Sequence, residues 1–352
     1  LPNETEADFD PTAFLADIAP MLAEHLGGTG PIIPLQTRAG SVNLIVKFSY
    51  GGRVLGARIA LDRTHFRYER DLVKEVFAVS LLKHAGERID DERASQMVDG
   101  LLAMPKGAHL AHDLVRPILY YDWTMAQLPF PFFIFEWIEG AVLWEQPFAD
   151  DYFAAGKLLA ELHRVRFEHF YENIFAIHHT PRSWRDHMRV CLNRELARAD
   201  LTLPAKLVTR FNRLDLSNLQ PGIPCLIHNN FSGANIVVDA AGRLHAIDWD
   251  NWVVDCPELD LVKMKYWTAI GSEGHLAHRT GLYDAFVSGY KALAGHIIDE
   301  RRQRAYEYLW LLRCFNYESA REGDWNGAAT ATNSWRQVYP NAAYYRDLLQ
   351  DL

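Results

Sequence analysis

The amino-acid sequence predicts an α+β fold in two lobes, a strand-rich first lobe followed by a larger, mostly helical one. Three observations carry this expectation. Strand-like patterns concentrate before residue 137 and helical periodicity dominates after residue 148, a segregation typical of α+β chains rather than alternating α/β ones. A length of 352 residues with 49% hydrophobic content supplies enough apolar side chains for two cooperating lobes. No internal repeat, low-complexity tract or flexible linker interrupts the chain, so the lobes should meet at a tight hinge near Glu136 to Gly140. Residues 1–137 are then expected to form the first lobe and residues 138–352 the second.

The elements follow in order. Pro11 to Leu26 is amphipathic and runs into "GGTG", which predicts a helix stopped by glycine. "NLIVKFSY" and "RVLGARIAL", joined by Gly51 and Gly52, predict a β-hairpin whose apolar run is interrupted by Lys47 and Arg58. "RDLVKEVFAVSLLKHAG" has helical periodicity and a terminal glycine. A polar, helical insertion spans roughly Glu87 to His112, and two further strands, "VRPILYYDW" and "FPFFIFEWI", follow across a proline-bearing turn. From Phe148 onward helices such as "DDYFAAGKLLAELHRV" dominate, with one strand-rich interruption from Leu226 to Asp248.

A formal net charge of -9 removes the electrostatic footprint expected of a nucleic-acid binder and favours a small-molecule partner. Cys191, Cys225, Cys256 and Cys314 are far apart and form no CxxC pair, so neither a zinc site nor a disulfide framework is expected. Reduced thiols in a cytoplasmic protein fit this pattern. No stretch is long and apolar enough to span a bilayer, and the opening "LPNETEADFD" lacks the regions of a signal peptide. A membrane partner is therefore not expected, and nothing in the sequence fixes an oligomeric state.

The chemistry-bearing segments lie in the strand-rich interruption. "LIHNNFSGANIVVD" sets His228, Asn230 and Asn235 ahead of an apolar run, the spacing of a kinase-type catalytic loop H-x-D-x-x-x-x-N with one letter changed. "AIDWDNWVVDCPELDL" then places Asp248 at the end of a strand. An asparagine and an aspartate offer the hard oxygen ligands that Mg²⁺ takes when phosphates complete its shell, so Asn235 and Asp248 are candidate metal ligands. Near the start, "AGSVNLIVKF" is a small-residue turn with Gly40, Ser41 and Asn43, where backbone N–H groups can approach phosphates. Arg58 on the following strand and Glu75 on the next helix could hold a cation against those phosphates. Lys47 competes with Arg58 for that role, because the strand pattern does not settle which face it occupies.

Together with "VKEVFAVSLL", "FFIFEWIEG" and "LLAELHRV", these motifs make the chain resemble the aminoglycoside phosphotransferase and choline kinase-like family of small-molecule kinases, over about Pro34 to Tyr266. The resemblance implies the two-lobed protein-kinase fold, ATP or GTP as phosphoryl donor, and Mg²⁺ held by Asn235 and Asp248. It places His228 on the loop-structuring histidine and Asn230 on the catalytic aspartate. Gly40, Ser41 and Asn43 fall on the nucleotide loop, and Arg58 with Glu75 on the phosphate-holding ion pair. Phe135, Glu136 and Trp137 fall on the base-binding hinge, whose backbone rather than side chains would meet the base. Asp250 lies in an extension the family carries, with a supporting, substrate-facing or solvated role open to it. Asp260 matches a structural aspartate expected to cap the following helix.

Asn230 departs from that pattern. An amide oxygen can accept a hydrogen bond from a substrate hydroxyl but cannot take its proton near neutral pH. Because the transition state of phosphoryl transfer is loose, losing the base should cost roughly 10²–10⁴-fold rather than all activity. Two accounts stay open: an engineered replacement of the catalytic aspartate in an otherwise complete kinase, or a natural pseudo-kinase that binds ligand without turnover.

The acceptor is expected to be a hydroxylated small molecule, and the resemblance suggests an antibiotic or related natural product, with a role in resistance. Glu318, Glu322 and Asp324 are a local acidic group that would suit a polycationic aminoglycoside. The roughly balanced charge from Lys265 onward also admits a nucleoside or sugar-bearing compound. Choline or an amino alcohol would need an aromatic cage. Trp249, Trp252, Trp267, Tyr308, Trp310, Trp325 and Trp335 could supply rings, but are expected mainly in the core.

Overall fold

The computed structural model describes residues 9–27, 30–39, 43–60, 72–126, 128–145, 148–171, 173–175, 183–199, 205–213, 219, 221–267, 281–295, 298–323 and 342–352. Helix α1 (Pro11–Leu26) opens the chain, its first turn capped by Asp10, whose Oδ1 accepts from the Thr12 N–H at 2.8 Å. Strands β1 (Ile33–Ala39), β2 (Asn43–Tyr50) and β3 (Arg53–Ala60) follow, then α2 (Leu72–Leu82), β4 (Arg88–Ile89), α3 (Asp91–Ala103), β5 (Lys106–Leu110), β6 (Ile118–Asp122) and β7 (Phe132–Glu136). Six of these strands form one antiparallel sheet in the order β1-β2-β3-β7-β6-β5. The expected hairpin is β2 and β3, and its two-residue turn has Gly51 at φ 56° and Gly52 at φ 78°, the left-handed pair that a twisted hairpin needs.

Alternation along β2 assigns the two faces of the sheet. Leu44, Val46 and Phe48 point to α1, where they pack with Phe14, Leu15, Ile18 and Leu22. Asn43, Ile45 and Lys47 therefore point the other way. The pairing of Ile45 with Arg58 and of Lys47 with Gly56 puts Arg58 on that same lower face, against the second lobe. Covering the upper face with α1 makes the register costly to shift, since a slip of one residue would bury Lys47 and Arg58 beneath an apolar helix.

The expected insertion at Glu87 to His112 contains α3, and its flanking strand β5 extends the main sheet. Beyond β7 the chain crosses through residues 137–139 to β8 (Gly140–Val142) and enters α4 (Ala149–Leu162), β9 (Arg166–Phe167), α5 (Trp184–Ala199) and α6 (Ala205–Asn212). Then come β10 (Cys225–Ile227), β11 (Ile236–Asp239), β12 (Leu244–Ala246), β13 (Val253–Asp255), α7 (Glu258–Trp267), α8 (Leu282–Ala294), α9 (Glu300–Gly323) and α10 (Ala342–Asp351). The short strands of this lobe form two small sheets, β12-β11-β8 and β13-β10-β9, the latter extended by β4 from the first part of the chain. Helices α4 and α8 meet through glycines: a methyl at Gly156 would lie 2.0 Å from the Phe286 carbonyl oxygen, and one at Gly289 would lie 1.9 Å from that of Phe153. Trp249, Trp252, Tyr308 and Trp310 are buried core, as their default reading has it. Trp325, Trp335 and Asp324 lie outside the described residues, as do the side chains of Trp267 and Glu322. Among the described residues all four cysteines are free, and no helix is long and apolar enough to cross a membrane.

A buried polar network ties α5 and α9 to β13. His187 Nε2 lies 2.9 Å from Asp255 Oδ2, the Tyr306 hydroxyl donates to Asp255 Oδ1, and Trp184 Nε1 donates to the Tyr306 oxygen at 2.9 Å. Burial alone would discharge His187, but Asp255 outweighs it and holds the imidazole pKa well above its usual value. A raised folded-state pKa stabilises fully below the unfolded value near 6.5 and is lost as pH rises through the folded one. The stability advantage of the native protein over His187→Gln should therefore shrink above pH 6.5, by up to about 1.4 kcal/mol per pH unit. Urea unfolding of both proteins from pH 6 to 9 measures it, and parallel pH curves would refute the charged pair.

Candidate active site

The loop after β10 is held from behind. Asp260, wholly buried, accepts from the N–H groups of His228 and Asn229 at 2.8 Å each and lies 3.3 Å from His163 Nε2. It sits inside the first turn of α7, so it anchors the preceding loop instead of capping its own helix, contrary to the sequence expectation. His228 is also wholly buried, with Nε2 2.9 Å from the Ile247 carbonyl oxygen and its ring 4.4 Å from that of Trp249. A carbonyl only accepts, so the proton is on Nε2, and desolvation lowers the imidazole pKa and keeps the ring neutral. Asn229 takes a left-handed φ of 62°, a conformation asparagine tolerates. Lys263, whose pKa burial pulls down to about 8, donates to the Asn229 backbone oxygen and, at 2.7 Å, to its side-chain oxygen.

Asn230 and Asn235 follow in fixed relation. The Asn235 side-chain N–H donates to the Asn230 backbone oxygen at 2.9 Å, and the partly exposed Asn230 amide has no hydrogen-bond partner among the described residues. The β11–β12 hairpin pairs Ile236 with Ala246, and the Ile247 N–H extends it by donating to the Asn235 carbonyl at 3.0 Å. Asp248 is the next residue, so both candidate metal ligands stand at the open mouth of one hairpin. Asp248 adopts φ 66°, ψ 63°, a left-handed geometry uncommon for a non-glycine residue.

From above, the lower face of the large sheet supplies a cation. Arg58 is 6% exposed and pairs through Nη1 with Glu75 Oε2 and, at 2.9 Å, with Asp248 Oδ1, while Nη2 reaches Asp250 Oδ2 at 2.9 Å. The Asn43 amide lies 2.8 Å from Nη2 and 3.1 Å from Nε, and accepts from both with its oxygen turned to the guanidinium. Burial works against the Arg58 charge, but Glu75, Asp248 and Asp250 outweigh it and raise its pKa. Burial, then the charge of Asp248, push the Asp250 carboxyl up to about 6. Helix α2 is fixed on the same side by Trp252, whose Nε1 donates to the Lys74 carbonyl at 2.7 Å. Lys47 shares the lower face but stands at the hinge, 2.7 Å from Glu139 and with its ammonium 4.6 Å from the centre of the Trp137 ring. Arg58, not Lys47, makes the ion pair with Glu75.

Phe135 is buried with its ring under Gly56, where a methyl would lie 2.3 Å from the ring. The N–H groups of Glu136 and Trp137 already donate to the Pro117 and Val54 carbonyls, at 3.0 and 3.1 Å. The Ile138 N–H has no partner among the described residues. Gly40 and Ser41 lie outside the described residues. Sequence reasoning missed Arg116, whose Nη2 is 2.6 Å from Glu75 Oε1, and Lys263. An arginine two residues ahead of a buried apolar strand was the available signal for the first.

The residues suit a divalent cation. Asp248 Oδ2 and the Asn235 side-chain oxygen have no hydrogen-bond partner among the described residues, both are hard donors, and Asp248 is 36% exposed.

The model of the phosphotransferase enzyme family matches residues 102–306. No curated protein matches the sequence. Among solved structures, a candidate aminoglycoside phosphotransferase from Ralstonia eutropha is 15% identical, with 97% of this chain and 96% of that chain covered and a TM-score of 0.62. A choline/ethanolamine kinase family protein from Mesorhizobium loti is 15% identical, with coverages of 97% and 93% and a TM-score of 0.58. A spectinomycin phosphotransferase in complex with ADP and spectinomycin is 12% identical, with coverages of 98% and 100% and a TM-score of 0.57. These likenesses establish the fold as the two-lobed one the sequence predicted.

Proposed function

This chain belongs to the phosphotransferase enzyme family, and on that premise we propose that it transfers the γ-phosphoryl group of ATP or GTP to a hydroxyl of a small molecule. The observation that carries the reading is the meeting of Arg58, Glu75, Asp248 and Asp250 at the mouth of the hairpin that bears Asn235. Residues 1–137 serve the nucleotide, with the base at the hinge through the Ile138 N–H and the triphosphate beneath Arg58. Residues 138–352 supply the loop, the metal ligands and the acceptor pocket. Asn235 and Asp248 hold Mg²⁺, which when bound neutralises phosphate charge and orients the donor. Arg58 shares its guanidinium between Glu75 and the phosphates. Asn230 accepts from the acceptor hydroxyl and orients it, and the proton leaves to solvent or to phosphate, since the amide cannot take it.

The acceptor we propose is a hydroxylated antibiotic or related natural product, phosphorylated in the cytoplasm as resistance or self-protection. Similar structures in complex with spectinomycin and with hygromycin B support this class. The choline/ethanolamine kinase relative keeps an amino alcohol as the alternative acceptor. One observation favours a second reading: Asn230 at the position of the base is what a ligand-binding pseudo-kinase would carry.

A thermal-shift series with ATP and GTP, each with and without Mg²⁺, tests the donor site. Stabilisation that needs both nucleotide and metal is expected, amounting to about 2.7 kcal/mol at a ligand concentration one hundred times Kd. No shift with any nucleotide would overturn the proposal.

A further inference from the structure

We propose that Arg116 is a positioning residue of the cleft, bracing the Glu75 carboxylate so that Arg58 is free to turn part of its guanidinium toward polyphosphate. The functional half rests on the phosphotransferase reading; the bracing of α2 stands on geometry alone.

Arg116 is tied to three elements. Its backbone follows Val115, which bridges Ala246 of β12 in parallel, and the Ala246 N–H donates to the Leu114 carbonyl at 3.0 Å. That connection fixes Arg116 to the strand that leads into Asp248. Its Nη2 lies 2.6 Å from Glu75 Oε1 on α2. Its guanidinium lies 3.9 Å from the centre of the Phe135 ring, at the end of β7 beside the hinge. One buried side chain thus links the hairpin, the helix and the hinge strand.

The charges explain why a second arginine is needed. Glu75 is 1% exposed and cannot be left without a cation, because an unpaired buried carboxylate is strongly destabilising. Arg58 is already divided among Glu75, Asp248 and Asp250. If Arg58 were the sole partner of Glu75, any shift toward phosphate would strand that carboxylate, and the penalty would weaken nucleotide binding. With Arg116 on Oε1, Glu75 keeps a charged partner whichever way Arg58 turns. The planar fork of Arg116 lets it stack on Phe135 and still donate to Glu75 in the same pose, which a lysine could not do.

The test is a double-mutant cycle of Arg116→Met and Glu75→Gln, with Arg116→Lys as a variant that keeps the charge. Hydrogen exchange of the α2 amides is measured without ligand, and affinity for the Mg²⁺ complex of AMP-PNP by calorimetry. Arg116→Met is expected to raise α2 exchange by at least roughly tenfold, and to weaken nucleotide binding by roughly 10–100-fold. In the Glu75→Gln background it should add little to either, and Arg116→Lys should recover part of both. Unchanged α2 exchange in Arg116→Met, or equal effects in both backgrounds, overturns the proposal. If the native chain binds no nucleotide, the phosphotransferase reading falls while the exchange cycle still decides the bracing.

Discussion

Placing a carboxylate at position 230 by Asn230→Asp should raise phosphoryl transfer by roughly 10²–10⁴-fold, the range that a positioned general base contributes. The substitution is close to isosteric, and the structure shows no reason for it to disturb the fold. The Asn230 side chain has no hydrogen-bond partner among the described residues, while its backbone oxygen is already held by Asn235 at 2.9 Å. The loop is fixed by Asp260, Lys263 and Ile247, none of which hydrogen-bonds the side chain at 230. What changes is the chemistry: an aspartate can orient the acceptor hydroxyl and also take its proton as the phosphorus–oxygen bond forms. The measurement is transfer from γ-labelled ATP to a panel of hydroxylated antibiotics, sugars and amino alcohols. Hydrolysis to water serves as a readout that needs no acceptor. An Asn230→Asp variant that binds nucleotide yet transfers to nothing, water included, would assign the chain to ligand binding.

Much of the fold was legible because it is written in local patterns. Gly51 and Gly52 mark the β2–β3 turn, the period of "VKEVFAVSLL" marks α2, and the apolar and β-branched content of "NLIVKFSY" marks a strand, though not which face is covered. The pairing of Arg58 with Glu75 was expected on resemblance, since seventeen positions of sequence say nothing of contact. What local pattern could not supply was the choice between Lys47 and Arg58. Both point to the same face, and only the pairing of β3 with β7 sets Arg58 deep beside α2 and Lys47 out at the hinge. Arg116 was missed for the same reason, because its partner lies 41 residues away on another element. That the N–H groups of Trp137 and Glu136 are claimed by β3 and the segment before β6 was likewise not legible. Such competition among tertiary partners leaves no trace in a single strand's periodicity.

Asp260→Asn should be the most damaging single change outside the cleft, costing about 3–5 kcal/mol of stability as well as nucleotide binding. Its two carboxylate oxygens each accept one loop N–H, from His228 and Asn229, at 2.8 Å, and the same Oδ2 faces His163 Nε2 at 3.3 Å. An asparagine offers one acceptor group and one donor group, so its NH₂ would be turned against a backbone N–H and one loop donor would lose its acceptor. The burial that makes Asp260 effective also removes any means of relaxation, since the side chain is wholly enclosed. Lys263 would suffer as well, because Asp260 is the largest influence opposing the burial that lowers its pKa. With Asp260 neutral, Lys263 would lose proton affinity, and its hold on Asn229 would weaken. Urea unfolding gives the stability term, and AMP-PNP titration at a temperature where the variant remains folded gives the functional one. A loss below about 1 kcal/mol, the range of an ordinary neutral hydrogen bond, would mean that the loop is held by the His228 contact to Ile247 and the packing of Trp249. In that case the carboxylate would be a passenger and the loop would owe its shape to the strands on either side.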